Sequence, residues 1–289
     1  FFNSTDESGL YSHFTDAIPS PTHFLYKEGE QTRHTDLKNR IEQLGEEEKQ
    51  IRADAENLFI KWWNNNEETT AEPDSHLVGY FNFEEKQKEG YPNLAKEAHF
   101  AKINDSPSEV NGHKGKALLF DGENSINIDK VANFNRYQPF SMSTWIQIPE
   151  ERDRNIVLHH SQAGSDAGSR GYEILLENGR AGFALIHFWP GNAIKIQTSE
   201  KLPIQEWIHL GWSYDGSSKA SGMQFFINGH PAKTEIVRDS LYKDITYGSP
   251  VPLQLGARFR GRGYKDGLLD ELRIFDRELS APEMLSVFD

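Results

Sequence analysis

Two different hydrophobic periods divide the chain. Between Leu37 and Trp62, apolar residues recur in alternating four- and three-residue steps: Leu37, Ile41, Leu44, Ile51, Ala55, Leu58 and Trp62, interrupted by Glu48. That period predicts an amphipathic helix over residues 36–66, begun by Thr35 or Asp36 and stopped at Asn64–Asn66. About 30 residues at ~1.5 Å rise make ~45 Å of helix. So one-sided a helix needs cover from its own domain, from a second helix, or from another copy. Gly45 and Glu48 inside about four heptads weigh against the last of these. Residues 1–35 keep no steady period. They hold Pro19, Pro21 and the aromatics Phe1, Phe2, Tyr11, Phe14, Phe24 and Tyr26, which predicts an extended N-terminal arm lying against something.

From about Ser75 the period shortens to two. LVGYFNF (77–83), FSMSTWIQI (140–148), YEILLE (172–177), AGFALIHF (181–188), WIHLGWSYD (207–215) and LLDELRIF (268–275) are short and rich in β-branched or aromatic residues. Turn signals such as FDGEN, ENGR, YDGSS and INGH separate them. About eleven such segments without a helical period predict a mainly β, antiparallel two-sheet sandwich over 75–289. The last segment poses a problem. Strict alternation puts Leu268, Asp270, Leu272 and Ile274 on one face, and Asp270 there needs a cation or a set of backbone donors.

Composition narrows the function. The chain has 289 residues, 36% of them hydrophobic, enough for one substantial core. Its net charge of −13 argues against nucleic acid as a partner. The absence of cysteine excludes disulfides, thiol nucleophiles, cysteine–zinc sites and c-type haem attachment within the chain. No apolar run approaches the ~20 residues of a membrane span. A start at Phe1 leads us to expect a piece of something longer, with any signal peptide upstream.

Several phrases then fall in a telling order: GKALLFDG (115–122), PFSMSTWIQIP (139–149), GYEILLENGRAGFALI (171–186), EWIHLGWSYDG (206–216), FFINGHPA (225–232), PLQLGA (252–257) and GLLDELRIFDRELSAPEM (267–284). This succession resembles the laminin-G-like, or concanavalin-A-like, jelly-roll module. Upstream, FFNSTDESGLYSHFTDAIPSPT followed by an acidic helix resembles part of large exported bacterial proteins in which cytochrome-c-like domains flank a laminin-G-like insertion. The jelly-roll resemblance implies that the first and last strands of the module are neighbours. It also implies that calcium can sit between FDGEN and LLDEL, held by Asp121 and Asp270 with the Gly122 carbonyl and Asn124 in support. Calcium takes six to eight oxygens, so these are a beginning, and its role would be structural. A salt bridge from Asp270 to Arg273 or Lys116, or backbone donors in a turn, would serve the carboxylate equally. Trp145, Trp207, Trp212 and Tyr214 match aromatic positions of the module, and the last two share parity with Ile208 and Leu210, as core residues would.

Ligand contacts have their own candidates. GARFRGRGYKDG (256–267) spaces Arg258, Arg260 and Arg262 two apart, a clamp for carboxylated or sulfated sugar if the guanidinium groups converge, and a solvated loop if they do not. His159, His160, His187 and Trp189 could meet on one sheet face for sugar stacking and hydroxyl hydrogen bonds. Zinc would need a third fixed ligand that the spacing does not supply. No Glu-x-Asp-x-x-Glu, GxSxG, HExxH or P-loop stretch occurs, and Asp266, Asp270 and Glu271 have the wrong spacing for a glucanase pair. Glu173 and Glu177 share parity and read as an exposed strand face. The expectation is a non-catalytic carbohydrate-binding accessory module of an exported protein, periplasmic or at the cell surface, taking an acidic or sulfated polysaccharide. The alternative is an interdomain or protein–protein module that docks on other domains of its parent chain.

Overall fold

The computed structural model describes residues 25–65, 76–96, 99–162 and 169–288. The chain divides into two compact units, Phe1–Glu72 and Pro73–Asp289. In the first, helix α1 runs from Glu30 to Asn65, so its 36 residues extend ~54 Å. It starts earlier than Thr35 or Asp36 because a better start lies upstream. The Lys27 N–H donates to the Glu30 carboxylate at 2.8 Å, while Thr35 is already inside, its hydroxyl donating to the Gln31 carbonyl. Leu37, Ile41, Leu44, Ile51 and Leu58 are all exposed along it. Most of the expected arm, residues 1–24, lies outside the described residues.

The second unit is built from strands. In chain order they are β1 (Leu77–Phe81), β2 (Tyr91–Pro92), β3 (Phe100–Asn104), β4 (Ser108–Asn111), β5 (Lys116–Leu119) and β6 (Ser125–Ile128). There follow β7 (Phe140–Gln147), β8 (Asn155–Ser161), β9 (Gly171–Glu177), β10 (Arg180–Phe188), β11 (Asn192–Thr198) and β12 (Trp207–Tyr214). The last five are β13 (Met223–Ile227), β14 (His230–Pro231), β15 (Thr234–Asp239), β16 (Leu253–Leu255) and β17 (Leu268–Phe275), with helix α2 (Ala281–Phe288) closing the unit. They form an eight-stranded sheet, β14-β13-β12-β7-β17-β5-β4 with β1 also on β17, and a nine-stranded sheet, β15-β11-β10-β9-β8-β16-β6-β3-β2. Every pairing between these strands is antiparallel. The module therefore opens and closes on neighbouring strands, because both β1 and β5 pair with β17.

One face of each sheet supplies the core. Met142, Ile146, Ile208, Leu210, Trp212 and Tyr214 from one layer meet Leu158, Tyr172, Ile174, Phe183, Leu185, Ile194 and Ile196 from the other. Burial of this much apolar surface, at ~25 cal/mol per Å², is the main force holding the layers together. The alternation expected for LLDELRIF fails at one residue. Glu271 has φ 52°, and the register against β7 slips between Asp270 and Arg273. This bulge sends Leu269, Leu272 and Ile274 into the core and puts Asp270 on the outer face. There Asp270 sits beside Trp145, its partner across β7. The outer face is covered further along by α2, whose Met284 packs with Phe226, Phe275 and Leu279. Ser280 caps that helix, its N–H and hydroxyl both donating to Glu283.

Candidate functional site

The outer face of the nine-stranded sheet carries the chemistry. Where core residues alternate with outward ones, the outward set is polar on almost every strand. The registers align it into one row across eight strands: Lys102 pairs with Asn127, Asn127 with Gln254, Gln254 with His159 and His159 with Glu173. Glu173 then pairs with Ala184, Ala184 with Lys195 and Lys195 with Arg238. Strands ~4.8 Å apart make such a row ~34 Å long. Its one apolar member, Ala184, supports Trp189, which packs half-buried on Ala184, Ile186 and Ala193. The Lys195 ammonium lies 5.6 Å from the indole centroid, within cation–π reach.

Five charges lock the middle of the row. Glu173 is held by Arg154 at 3.0 Å and by Arg258 at 3.5 Å. Glu177 is held by the same Arg154 at 3.3 Å and by Lys195 at 2.5 Å. Burial pushes the Glu173 carboxyl up, against the pull of Arg258, Arg154 and Lys195. Arg258 also donates to the Ser161 hydroxyl at 3.0 Å, and that hydroxyl contacts His159 Nδ1 at 3.0 Å. Burial, with Arg258 adding to it, drives the His159 pKa down to about 3, so the ring is neutral beside its cationic neighbour. Gln254 extends the line by donating to Asn127 and Ser125.

The expected site residues are therefore distributed, and only some of them meet. Arg258 is buried in the network, whereas Arg262 turns to Asp153 at 2.8 Å on the outside; they do not form one clamp, because a short 3-10 turn, Phe259–Gly261, separates them. Arg260 lies in that turn. His159 belongs to the row, and Trp189 lies beside it. His160, next along the strand, points the other way and stacks on Tyr172 at 5.2 Å and 6°; burial lowers its pKa to about 4. His187 donates from Nδ1 to the Asp244 carbonyl and accepts from Arg170 at Nε2. The histidines thus do not converge. Glu173 and Glu177 are not an exposed face, since cations from β11, from the segment before β8 and from the segment after β16 cover them. Arg154, Lys195, Asn127 and Gln254 went unnoticed in the sequence. Strand parity was the available signal for Lys195, Asn127 and Gln254, which alternate with core residues on their own strands. Arg154 lies just before β8 and carries no such signal.

The residues expected to hold calcium do not form one oxygen shell. Asp121 Oδ1 accepts the N–H groups of Glu123 and Asn124 at 2.9 and 2.8 Å, and Asn124 returns a bond to the Asp121 N–H. The pairing of Leu268 with Leu119 leaves Asp270 and Asp121 roughly four residues, or ~13 Å, apart along antiparallel strands. Gly122 sits against the backbone and Cβ of Lys265. Asp270 is sealed in, with the Lys114 N–H donating to Oδ2 at 3.0 Å. Neither Arg273 nor Lys116 pairs with it, since they pair with Glu271 and Glu109. Among the described residues, no group of three or more His, Asp or Glu is placed to hold a metal ion.

Known proteins share this architecture. The binding domain of Paraclostridial Mosquitocidal Protein 1 superposes with a TM-score of 0.58 at 18% identity, over 75% of this chain and 52% of that one. The botulinum neurotoxin serotype D binding domain gives 0.55 at 13%, over 74% and 50%. The serotype D ligand-binding domain in complex with N-acetylneuraminic acid gives 0.54 at 14%, over 74% and 50%. The chain spans about half the length of these structures, and at such identities the likeness is one of fold. No curated protein matches the chain. The family model described as concanavalin A-like lectin/glucanases superfamily matches residues 120–284. That stretch is more than half of the sequence and runs from the end of β5 into α2, so the chain belongs to this superfamily.

Proposed function

We propose that the chain is a non-catalytic carbohydrate-binding module of a larger exported protein, and that a saccharide chain lies along the polar row of the nine-stranded sheet. The observation that carries this reading is the alignment of hydrogen-bonding side chains from Lys102 to Arg238 in one register, with the Trp189 indole beside it. Aromatic faces stack on sugar rings, and amides and charged groups bond their hydroxyls. His159, Glu173, Lys195 and Arg258 are buried, so direct contacts fall to Lys102, Asn127, Gln254, Arg238 and Trp189. Beneath them, Arg154, Arg258 and Lys195 outnumber Glu173 and Glu177 by one, a charge excess that favours a carboxylated or sulfated chain. The carboxylates have no catalytic freedom, because each carries two cationic partners. The superfamily's lectins and the neighbour with bound N-acetylneuraminic acid support the same direction.

Titration calorimetry against a panel of neutral, carboxylated and sulfated polysaccharides tests the reading. At least one acidic member should bind, and Trp189→Ala should weaken it about tenfold while leaving the fold intact. Silence across the panel, or undiminished binding by the variant, overturns the reading. A second reading, attachment to other domains of the parent, rests on the exposed Leu37, Ile41, Leu44, Ile51 and Leu58 of α1.

A further inference from the structure

At another part of the sandwich, Val78, Val131 and Phe134 floor a cleft of about 280 Å³, rimmed by Lys96, His99, Lys130, Asn133, Gln138 and Asp276. Val78, Val131 and Phe134 are buried, so the floor is apolar and preformed. The rim is cationic and amide-bearing. Its carboxylate, Asp276, contacts His76 Nδ1 at 2.8 Å, and Lys96 and Lys130 outnumber it, so the rim carries a net positive charge. The half-buried His99 ring completes the rim.

We propose that this cleft is a second binding site, for a small organic carboxylate the size of a single sugar acid. The volume stands at the lower end of the ~300–1,000 Å³ typical of small-molecule pockets, enough for one ring and too small for a chain. The apolar floor suits the face of such a ring, while Asn133 and Gln138 offer partners for its hydroxyls. Two ammonium groups draw the carboxylate as point charges. The site shares no residue with the polar row and stands or falls independently of it.

Sodium glucuronate is the probe, with glucose as the neutral control and sodium sulfate as the control for charge without a ring. Calorimetry and histidine-ring NMR on the full chain should show millimolar binding of glucuronate, a shift of the His99 ring resonance, and at least fivefold weaker binding of glucose and of sulfate. Lys96→Gln with Lys130→Gln should lower glucuronate affinity at least tenfold, and Lys96→Gln alone should lower it by less. Both lysines are exposed, and an unchanged circular dichroism spectrum certifies the fold. Equal binding of glucose or sulfate, binding indifferent to both variants, or no binding at all overturns the proposal.

Discussion

Glu173 and Asp270 are both buried carboxylates on outward faces of the sandwich, one on each sheet, and they are handled in opposite ways. Glu173 is enclosed by two guanidinium groups and lies in a row of further polar side chains. Asp270 is fully buried beneath the β4–β5 turn with a backbone N–H on one oxygen and no partner on the other. Beside it stands Trp145, capped by the ring of His113 at 3.4 Å, and beyond that the buried His209, whose nitrogens are likewise unpartnered. Burial, with the charge of Glu271 adding to it, pushes Asp270 up to about 7; burial pushes His209 down to about 3. The buried base is thus neutral, and the buried acid holds its proton up to about pH 7. The lesson is that one sheet answers burial with counter-charges, which keeps the buried middle of its outer row ionic. The other answers by neutralising, and gives its face over to cover by a turn and by α2.

The largest expected effect breaks the first arrangement. Arg258→Ala leaves Glu173 buried with half its cationic cover and should cost about 3–5 kcal/mol in urea unfolding. Replacing Arg258 and Glu173 together by methionine should restore most of that loss. If Arg258→Ala costs under ~1 kcal/mol, the network is not what holds Glu173.

Asp270→Asn probes the second arrangement through pH. The folded value near 7 exceeds the unfolded 3.8, so between these values the folded state holds one proton more. Stability of the unmodified chain therefore falls as pH rises from about 4 to about 7, and the loss is complete above that. The variant lacks this dependence, so its stability relative to the parent should climb by about 2–4 kcal/mol between pH 4 and pH 8. A difference independent of pH would mean that Asp270 is ionised throughout.

The smallest effect is expected from calcium. Because Asp121 caps its own turn and Asp270 is sealed away from it, millimolar calcium or a chelator should leave the melting temperature within about 1 °C. A calcium-dependent rise of several degrees would show that these loops rearrange into a shell.

The two sheets also mark what could be read in advance. The long strands were legible because their alternation is regular and rich in β-branched and aromatic residues, and the closing strand's partnership with the opening ones followed from the resemblance. Short or exposed strands were not: β4 and β15 present mostly polar, outward residues, and β6 has four residues. The α2 capping box, Ser280 to Glu283, is a start signal that the sequence carries in SAPE. Asp270 was misplaced because strict alternation contains no signal for the extra residue at Glu271. The row itself was half legible. His159, Arg258 and Trp189 were named, but Glu173 meets cations from distant segments, and only the folded register reveals that His159, Glu173 and Lys195 lie in one line.

The most direct test of the account is to map, by backbone and side-chain NMR, where an acidic oligosaccharide from the panel contacts the protein. Shifts at Asn127, Gln254, Lys195 and the Trp189 indole, with His113, Trp145 and His209 unmoved, are the predicted result. Shifts centred on the eight-stranded sheet or on α1 instead would contradict it.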